Sequence, residues 1–433
     1  MIELSQIFLS FILFSLIITV PFNILNSKIL ISKNFFSLDI ASFNLILNCN
    51  ILLLISILPI SLRIYNFLFI LLYLLIFIYL YFLKNCKLNL LRNFFQFVFI
   101  FFIIFFIISI NVAGELNLGW DAKYFYYIKA LFFIENQNFA DLKNFIHNAY
   151  HPHLGSFYWA FFSNLMPMKL EYFGRLFYVY LFCFSVFYVC HNNFKDKFMG
   201  NIIFILIVSI TYTYGRFSGL QEILIFSFLA LLSKYFSQLK NSKNIFYIFF
   251  IILGCNLVIW FKAEGIAYAT ILILLINFSN QISNKIKVYS SLFYFFLILF
   301  KIIIYQYFDM NLNGQPFYNL DYMSNLNIDI IFHKLKIILP FLFYYGIGNV
   351  FFISGLIILL ALNIQKKIDN YIKLINYYFI FNILFIFCAY VLRDFEIDYF
   401  VRTTMERIIF TSSGFYVFLT INFFRNLNKN YLK

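Results

Sequence analysis

Runs of about 18 or more apolar residues recur along almost the whole chain, and no other feature constrains its fold as much. Each run can cross the ~30 Å hydrocarbon core of a bilayer as a helix. In hydrocarbon every backbone N–H and C=O must be satisfied internally, which leaves helices or closed barrels. Barrel strands alternate apolar and polar residues over ~10 positions, whereas these runs are continuous. The sequence therefore predicts an all-α, polytopic integral membrane protein. Composition agrees: 63% of the 433 residues are hydrophobic and 12% are charged, against roughly 45–50% and ~25% in soluble domains. The first run has neither a basic n-region nor a small-residue cleavage site, so it reads as a span rather than a signal peptide.

Thirteen spans are expected, over about 5–24, 40–61, 64–83, 93–112, 173–190, 200–214, 218–236, 245–260, 265–280, 288–308, 340–364, 372–392 and 405–424. The run Ser156–Met166 is too short to cross and fits a helix that lies in the interface or re-enters. The whole chain, 1–433, reads as a single transmembrane domain. Its one large polar interruption is a loop over 113–172 with interfacial helices inside it.

The net charge is +14, and its distribution explains it. With the N-terminus outside, one set of loops holds 18 basic residues, from Lys28 and Lys33 through Lys366 and Lys367 to Lys433, against Asp39, Asp196 and Asp369. The opposite side holds 13 basic and 15 acidic residues, and Lys301 lies within a span. Basic loops stay in the cytoplasm, so the excess is a topology signal and gives no reason to expect a nucleic-acid partner. Cytoplasmic C-terminus and extracytoplasmic carboxylates follow. The six cysteines show no paired spacing, which argues against a disulfide framework or a zinc site.

The outer face collects the polar chemistry. The large loop holds Asp121, Lys123, Asp141, His147, His151 and His153. Arg216 and Glu222 flank a later junction, and Lys262 and Glu264 stand in WFKAEG. Asp309, Asp321 and Asp329 share another loop, and RDFEIDYFVRTTMER carries Arg393 to Arg407 into the last span. Ionisable groups at membrane depth are costly and usually line a polar cavity. The tract after Asp121 has apolar residues at helical spacing, with Lys123 and Lys129 as its charges, as expected of an interfacial helix. At its start Asp121 has two readings, a helix cap or a general base. The histidines are open between metal ligation, substrate contact and structure. Glu222 and Glu264 read as acceptor contacts or as ion-pair partners of Arg216 and Lys262. Arg216, Lys262, Arg402 and Arg407 suit a phosphate or, alternatively, anchor at lipid headgroups.

Several motifs in order resemble the C-type (GT-C) glycosyltransferases, polytopic enzymes that use polyprenyl-phosphate-linked sugars. They are GWDAKYFYYIKALFF in the first large external loop, the His-Pro segment YHPHLGSFYWAFFSNLMP, then EYFGRLFYVYLF, KAEG at a span mouth, and TTMERIIF before the last span. The loop follows the fourth span, where the simplest family layout has it after the first. Ala122 stands where many members carry a second acidic residue. The resemblance implies a GT-C-like fold in a bacterial inner membrane and inverting sugar transfer outside the cytoplasm. The donor would be a polyprenyl-phosphate-linked sugar and the acceptor a lipid, a glycan or a protein. Asp121 would be the catalytic base, with Arg402, Arg407, Lys262 and Arg216 on the donor phosphate, and His151, His153, Glu222 and Glu264 as substrate contacts. It implies no firm cofactor; a divalent metal remains open, with no metal ligand assigned. A surface-polysaccharide polymerase or ligase is an alternative, but no Arg here is followed by Gly eleven positions later. A lipid-linked-sugar transporter or flippase is another, but inverted repeats and broken mid-membrane spans are not evident.

Overall fold

The computed structural model describes residues 4–26, 37–82, 88–115, 117–144, 151–168, 170–191, 197–214, 216–239, 244–310, 326–366, 369–393 and 396–431. Among them no strand occurs, and the elements are helices. In chain order these are α1 (Leu4–Asn26), α2 (Ser37–Ile57), α3 (Leu62–Phe82) and α4 (Leu88–Gly114). Then come a π-helical turn (Ala122–Tyr127), α5 (Ile128–Ile134), a 3-10 turn (Phe139–Asn144) and α6 (Leu154–Leu165). The rest are α7 (Tyr172–His191), α8 (Lys197–Tyr212), α9 (Glu222–Ser237), α10 (Asn244–Phe261), α11 (Gly265–Phe278), α12 (Asn284–Tyr307), α13 (Ile328–Gly348), α14 (Val350–Ile364), α15 (Asn370–Val391) and α16 (Ile397–Tyr431). The chain divides into two units. The first is Met1–Ser227 with Trp260–Ala263, and the second is Phe228–Ile259 with Glu264–Lys433.

In the first unit α7 is the axis. All of its residues are buried, and it touches α1, α2, α4, α6 and α8. A helix that is apolar all round is the kind that others surround. Aromatic rings fill the contact, with Phe162 stacked on Phe177 at 3.9 Å and Phe14 edge-on to Phe177 and Tyr180. Polar side chains appear where the backbone needs them. Pro21 has no N–H, so the Ile17 carbonyl one turn earlier has no intrahelical donor. Asn48 of α2 supplies one at 2.5 Å, with Asn44 at 3.3 Å. The short run after Pro152 forms α6, 12 residues long and buried along nearly its whole length.

In the second unit α13, α14, α15 and α16 make mutual contacts, and α11 lies against α12 and α15. The single span expected over 340–364 is two helices that meet at Asn349. Asn349 sits in extended backbone, and its side chain accepts the Phe352 N–H at 3.0 Å. Asn327 and Asp369 start α13 and α15 in the same way, as expected of N-cap residues. Lys301, expected inside a span, is buried there. Its Nζ donates to the Ile259 carbonyl at 2.8 Å, one of the carbonyls a helix leaves unpaired at its C-terminal end.

Among the described residues, five helices are long and apolar enough to cross a membrane: Leu38–Ile57, Tyr172–His191, Asn284–Tyr307, Ile328–Gly348 and Asn370–Val391. Seven further apolar helical stretches are described, among them parts of α1, α3 and α4. Large apolar side chains stand exposed along α3, α12 and α13, among them Phe67, Phe296, Ile303 and Phe343. Such continuous apolar surface fits lipid and not water. The class that the fold supports is a helical membrane protein.

Candidate active site

The polar loop after α4 docks onto the segment between α8 and α9. The Gly119 N–H donates to the Ser218 carbonyl at 2.9 Å. Gly219 has φ +90°, and a Cβ there would lie 2.6 Å from the Trp159 ring and 2.9 Å from the Ala122 methyl. Only glycine accepts both the backbone and the contact. Asp121 therefore stands between two residues, Gly119 and Ala122, that are pressed onto 218–219. Arg216 and Glu222 stand on either side of that same short segment.

Asp121 is half-buried. It opens the π-helical turn in helical backbone, and its side chain makes no capping hydrogen bond. Of its two sequence readings, the structure supplies no cap. Trp120 beside it is exposed, with its ring tilted against Tyr124 and edge-on to Phe125. Lys123 is exposed, with its Nζ 5.4 Å from the Tyr124 ring. The tract buries Ala122, Tyr126, Lys129, Ala130 and Phe133, so it is amphipathic as expected, with one exception. Lys129, one of its two charges, lies on the buried face, and its Nζ donates to the His151 carbonyl at 2.7 Å. Desolvation pulls its pKa down to about 7, because burial penalises the charged form.

Five further predicted residues lie in the first unit. His151 is half-buried, with its ring 5.3 Å from Phe125. His153 is fully buried among Phe139, Phe133 and Trp260. Its Nε2 is 2.8 Å from the Ser56 hydroxyl. That hydroxyl spends its proton on the Leu53 carbonyl, so Nε2 carries the hydrogen and donates. A ring so enclosed pins α6 to α2 and offers no face to a substrate. Glu222 is buried and receives Lys262 Nζ on Oε1 at 3.0 Å. This fulfils the ion-pair reading, with Lys262 matched to Glu222. Arg216 is also buried.

The second unit holds the others. Glu264 is half-buried at the start of α11 and makes no capping bond. Arg402 is exposed and pairs with Asp398 one turn earlier, Nε to Oδ2 at 2.8 Å. Arg407 is half-buried on α16. His147, Asp321 and Asp394 lie outside the described residues, as do Lys28, Lys33, Lys84, Lys87, Lys195, Asp196, Lys240, Lys243, Lys367 and Lys433. Among the described residues no three His, Cys, Asp or Glu side chains converge as metal ligands.

One residue central to the loop was not among the candidates. Arg175 is 1% exposed and holds Glu171 bidentately, Nε to Oε1 at 2.7 Å and Nη2 to Oε2 at 2.6 Å. Its Nη2 also reaches the Glu115 carbonyl at 3.1 Å, and its Nη1 the Phe217 carbonyl at 3.5 Å. Trp159 Nε1 donates to the Glu171 carbonyl at 2.8 Å. One guanidinium thus ties the start of the loop, its end and the docking segment together. The i, i+4 spacing of Glu171 and Arg175 was the available signal. A cavity of about 70 Å³ beside Glu171, lined also by Tyr127, Leu131 and Ser163, has room for a water or two and not for a sugar.

The chain matches no protein-family model, no curated protein and no solved structure.

Proposed function

We propose that the chain is a membrane glycosyltransferase that moves a sugar from a polyprenyl-phosphate-linked donor to an acceptor hydroxyl outside the cytoplasm, with inversion. One observation carries this reading. The docking of Gly119–Ala122 onto 218–219 brings a carboxylate without a capping role beside the segment that bears Arg216 and the Glu222–Lys262 pair. A carboxylate next to cationic groups is what such a transfer needs. Asp121 accepts the acceptor's proton as the acceptor oxygen bonds to the sugar C1. The bond from C1 to the phosphate oxygen breaks, and the phosphate leaves with the electron pair. Arg216 and Lys262 stabilise its growing charge. A fixed guanidinium suits phosphate oxygens because its donors are planar and paired. Trp120 and Tyr124, exposed beside Asp121, offer apolar faces at the level of the headgroups, where aromatic side chains are enriched. On this reading His153 supports the loop from below.

The test is sugar transfer by the purified protein in lipid, with polyprenyl-phosphate sugars and a mixed acceptor extract. Asp121→Asn keeps the shape and removes the base. It is expected to lower the rate by about 10²–10⁴-fold, the usual contribution of a general base, with the elution profile and thermal unfolding unchanged. A variant as active as wild type would remove Asp121 from the chemistry.

A further inference from the structure

The second unit carries a recess of about 600 Å³ between the first turns of α13 and the beginning of α16. That volume is in the range of small-molecule sites. Its floor is built. Lys334 is 5% exposed, and its Nζ donates to the carbonyls of Val391 at 3.0 Å and Arg393 at 2.5 Å. The ammonium thus closes the C-terminal end of α15, with two of its three protons on backbone carbonyls. Ile330 and Ile397 line the recess with hydrocarbon, and Asp329, His333, Glu396 and Asp398 surround it with polar groups. Asp398 is bound to Arg402. Asp329 and Glu396 have no ion pair among the described residues.

This lining selects by chemistry. Two uncompensated carboxylates repel phosphates and other anions. They leave a purely apolar guest nothing to offset their desolvation. A metal site needs three ligands in register, and no such set exists among the described residues. A neutral ligand with many hydroxyls satisfies all the features at once. Its O–H groups donate to carboxylates, which accept without donating, and its C–H faces lie on isoleucine.

We propose that this recess binds a neutral carbohydrate, with Asp329 and Glu396 as hydroxyl acceptors and His333 as a further polar contact. The inference concerns binding alone and holds whether or not the chain transfers sugar. It is tested with the full chain in nanodiscs, without donor lipid, on an array of neutral, amino-bearing and acidic oligosaccharides. Wild type should retain neutral oligosaccharides. Asp329→Asn and Glu396→Gln should each weaken retention about tenfold or more, since a hydrogen bond to a charged acceptor is lost. Both side chains are exposed, so the variants should elute and melt as wild type does. Failure to retain any neutral oligosaccharide overturns the proposal, as does retention of acidic ones alone or equal retention by wild type and both variants. A parallel titration with calcium ions that shows binding lost in the same variants, with no oligosaccharide retained, would make the recess a cation site instead.

Discussion

Three buried lysines share one task. Lys129, Lys301 and Lys334 each deliver an ammonium to backbone carbonyls, of His151, of Ile259, and of Val391 and Arg393. In a nearly waterless setting a carbonyl left over by a helix end or a loop is costly, and a long cationic side chain reaches it. Lys129 lies outside the expected spans, and its titration is therefore measurable as stability. Its folded pKa is lowered to about 7 from an ordinary 10.5. Between those values the unfolded chain holds a proton that the folded chain has released, so stability rises with pH across that window. Below about pH 7 both states are protonated, and the full cost of the buried charge is present. Thermal unfolding of wild type should therefore shift upward from pH 7 to pH 9.5 relative to Lys129→Met, which lacks the group; equal shifts would show that Lys129 does not titrate in that window. The position was legible in the spacing. Lys129 follows Ala122 by seven residues, two helical turns, which puts both on one stripe. Its charge suggested the opposite face. Lys301 was readable as a charge within a span, and the Ile259 carbonyl is its partner.

At the scale of elements, the loop is held by a clasp and a hinge point. The clasp is Glu171–Arg175, buried on the arginine side and a quarter exposed on the other. Replacing Arg175 with Met leaves a partly buried carboxylate and frees the Glu115 and Phe217 carbonyls. Removing one partner of a buried pair costs about 3–5 kcal/mol, and the exposure of Glu171 puts this case near the lower end. The hinge point is Gly219. Gly219→Ala must place a methyl against Trp159 and Ala122 in a backbone conformation that alanine disfavours, a strain of about 1–3 kcal/mol. Either variant should let protease cut the loop around Asp121 sooner than in wild type, while cleavage at the ends of α16 stays the same. Unchanged loop cleavage in both would show that the loop is not held there. The elements were readable to different degrees. The apolar runs marked the helices because hydrocarbon admits little else. The motif around Glu171 and Arg175 was visible as a motif, but its contacts join residues 115, 171 and 217, and such distant contacts have no signature in local spacing. Asn349 was a readable break, an N-cap residue just after Gly348, yet continuous hydropathy on both sides hid it.

At the scale of the whole molecule, α13 and α14 decide the topology. As two separate crossings they would turn over everything that follows. Lys366, Lys367, Lys373 and the basic residues after Arg425 would then lie outside, and Asp394, Glu396 and Asp398 inside, against the charge rule. Composition along α13 gives another solution. Its polar residues, Asp329, His333, Lys334 and Lys336, all fall in the first half. From Ile337 onward α13 is apolar, and α14 continues so to Ile364. At 1.5 Å per residue that apolar remainder is roughly 40 Å long, one crossing of a ~30 Å core with some tilt and a break at Asn349 on the way. The first half of α13 then lies at the outer surface, on the same side as the Lys334 partners Val391 and Arg393 at the end of α15. The prediction is a cytoplasmic C-terminus. A fluorescent protein fused after Lys433 should mature and an alkaline phosphatase fused there should stay inactive, while a cysteine placed at Lys123 in a background lacking the native cysteines should react with an impermeant maleimide added from outside. An active phosphatase would mean that α13 and α14 each cross. The Arg402 segment would then face the cytoplasm while the first turns of α13 stayed outside, so the Lys334 bonds to Val391 and Arg393 and the recess between α13 and α16 could not form.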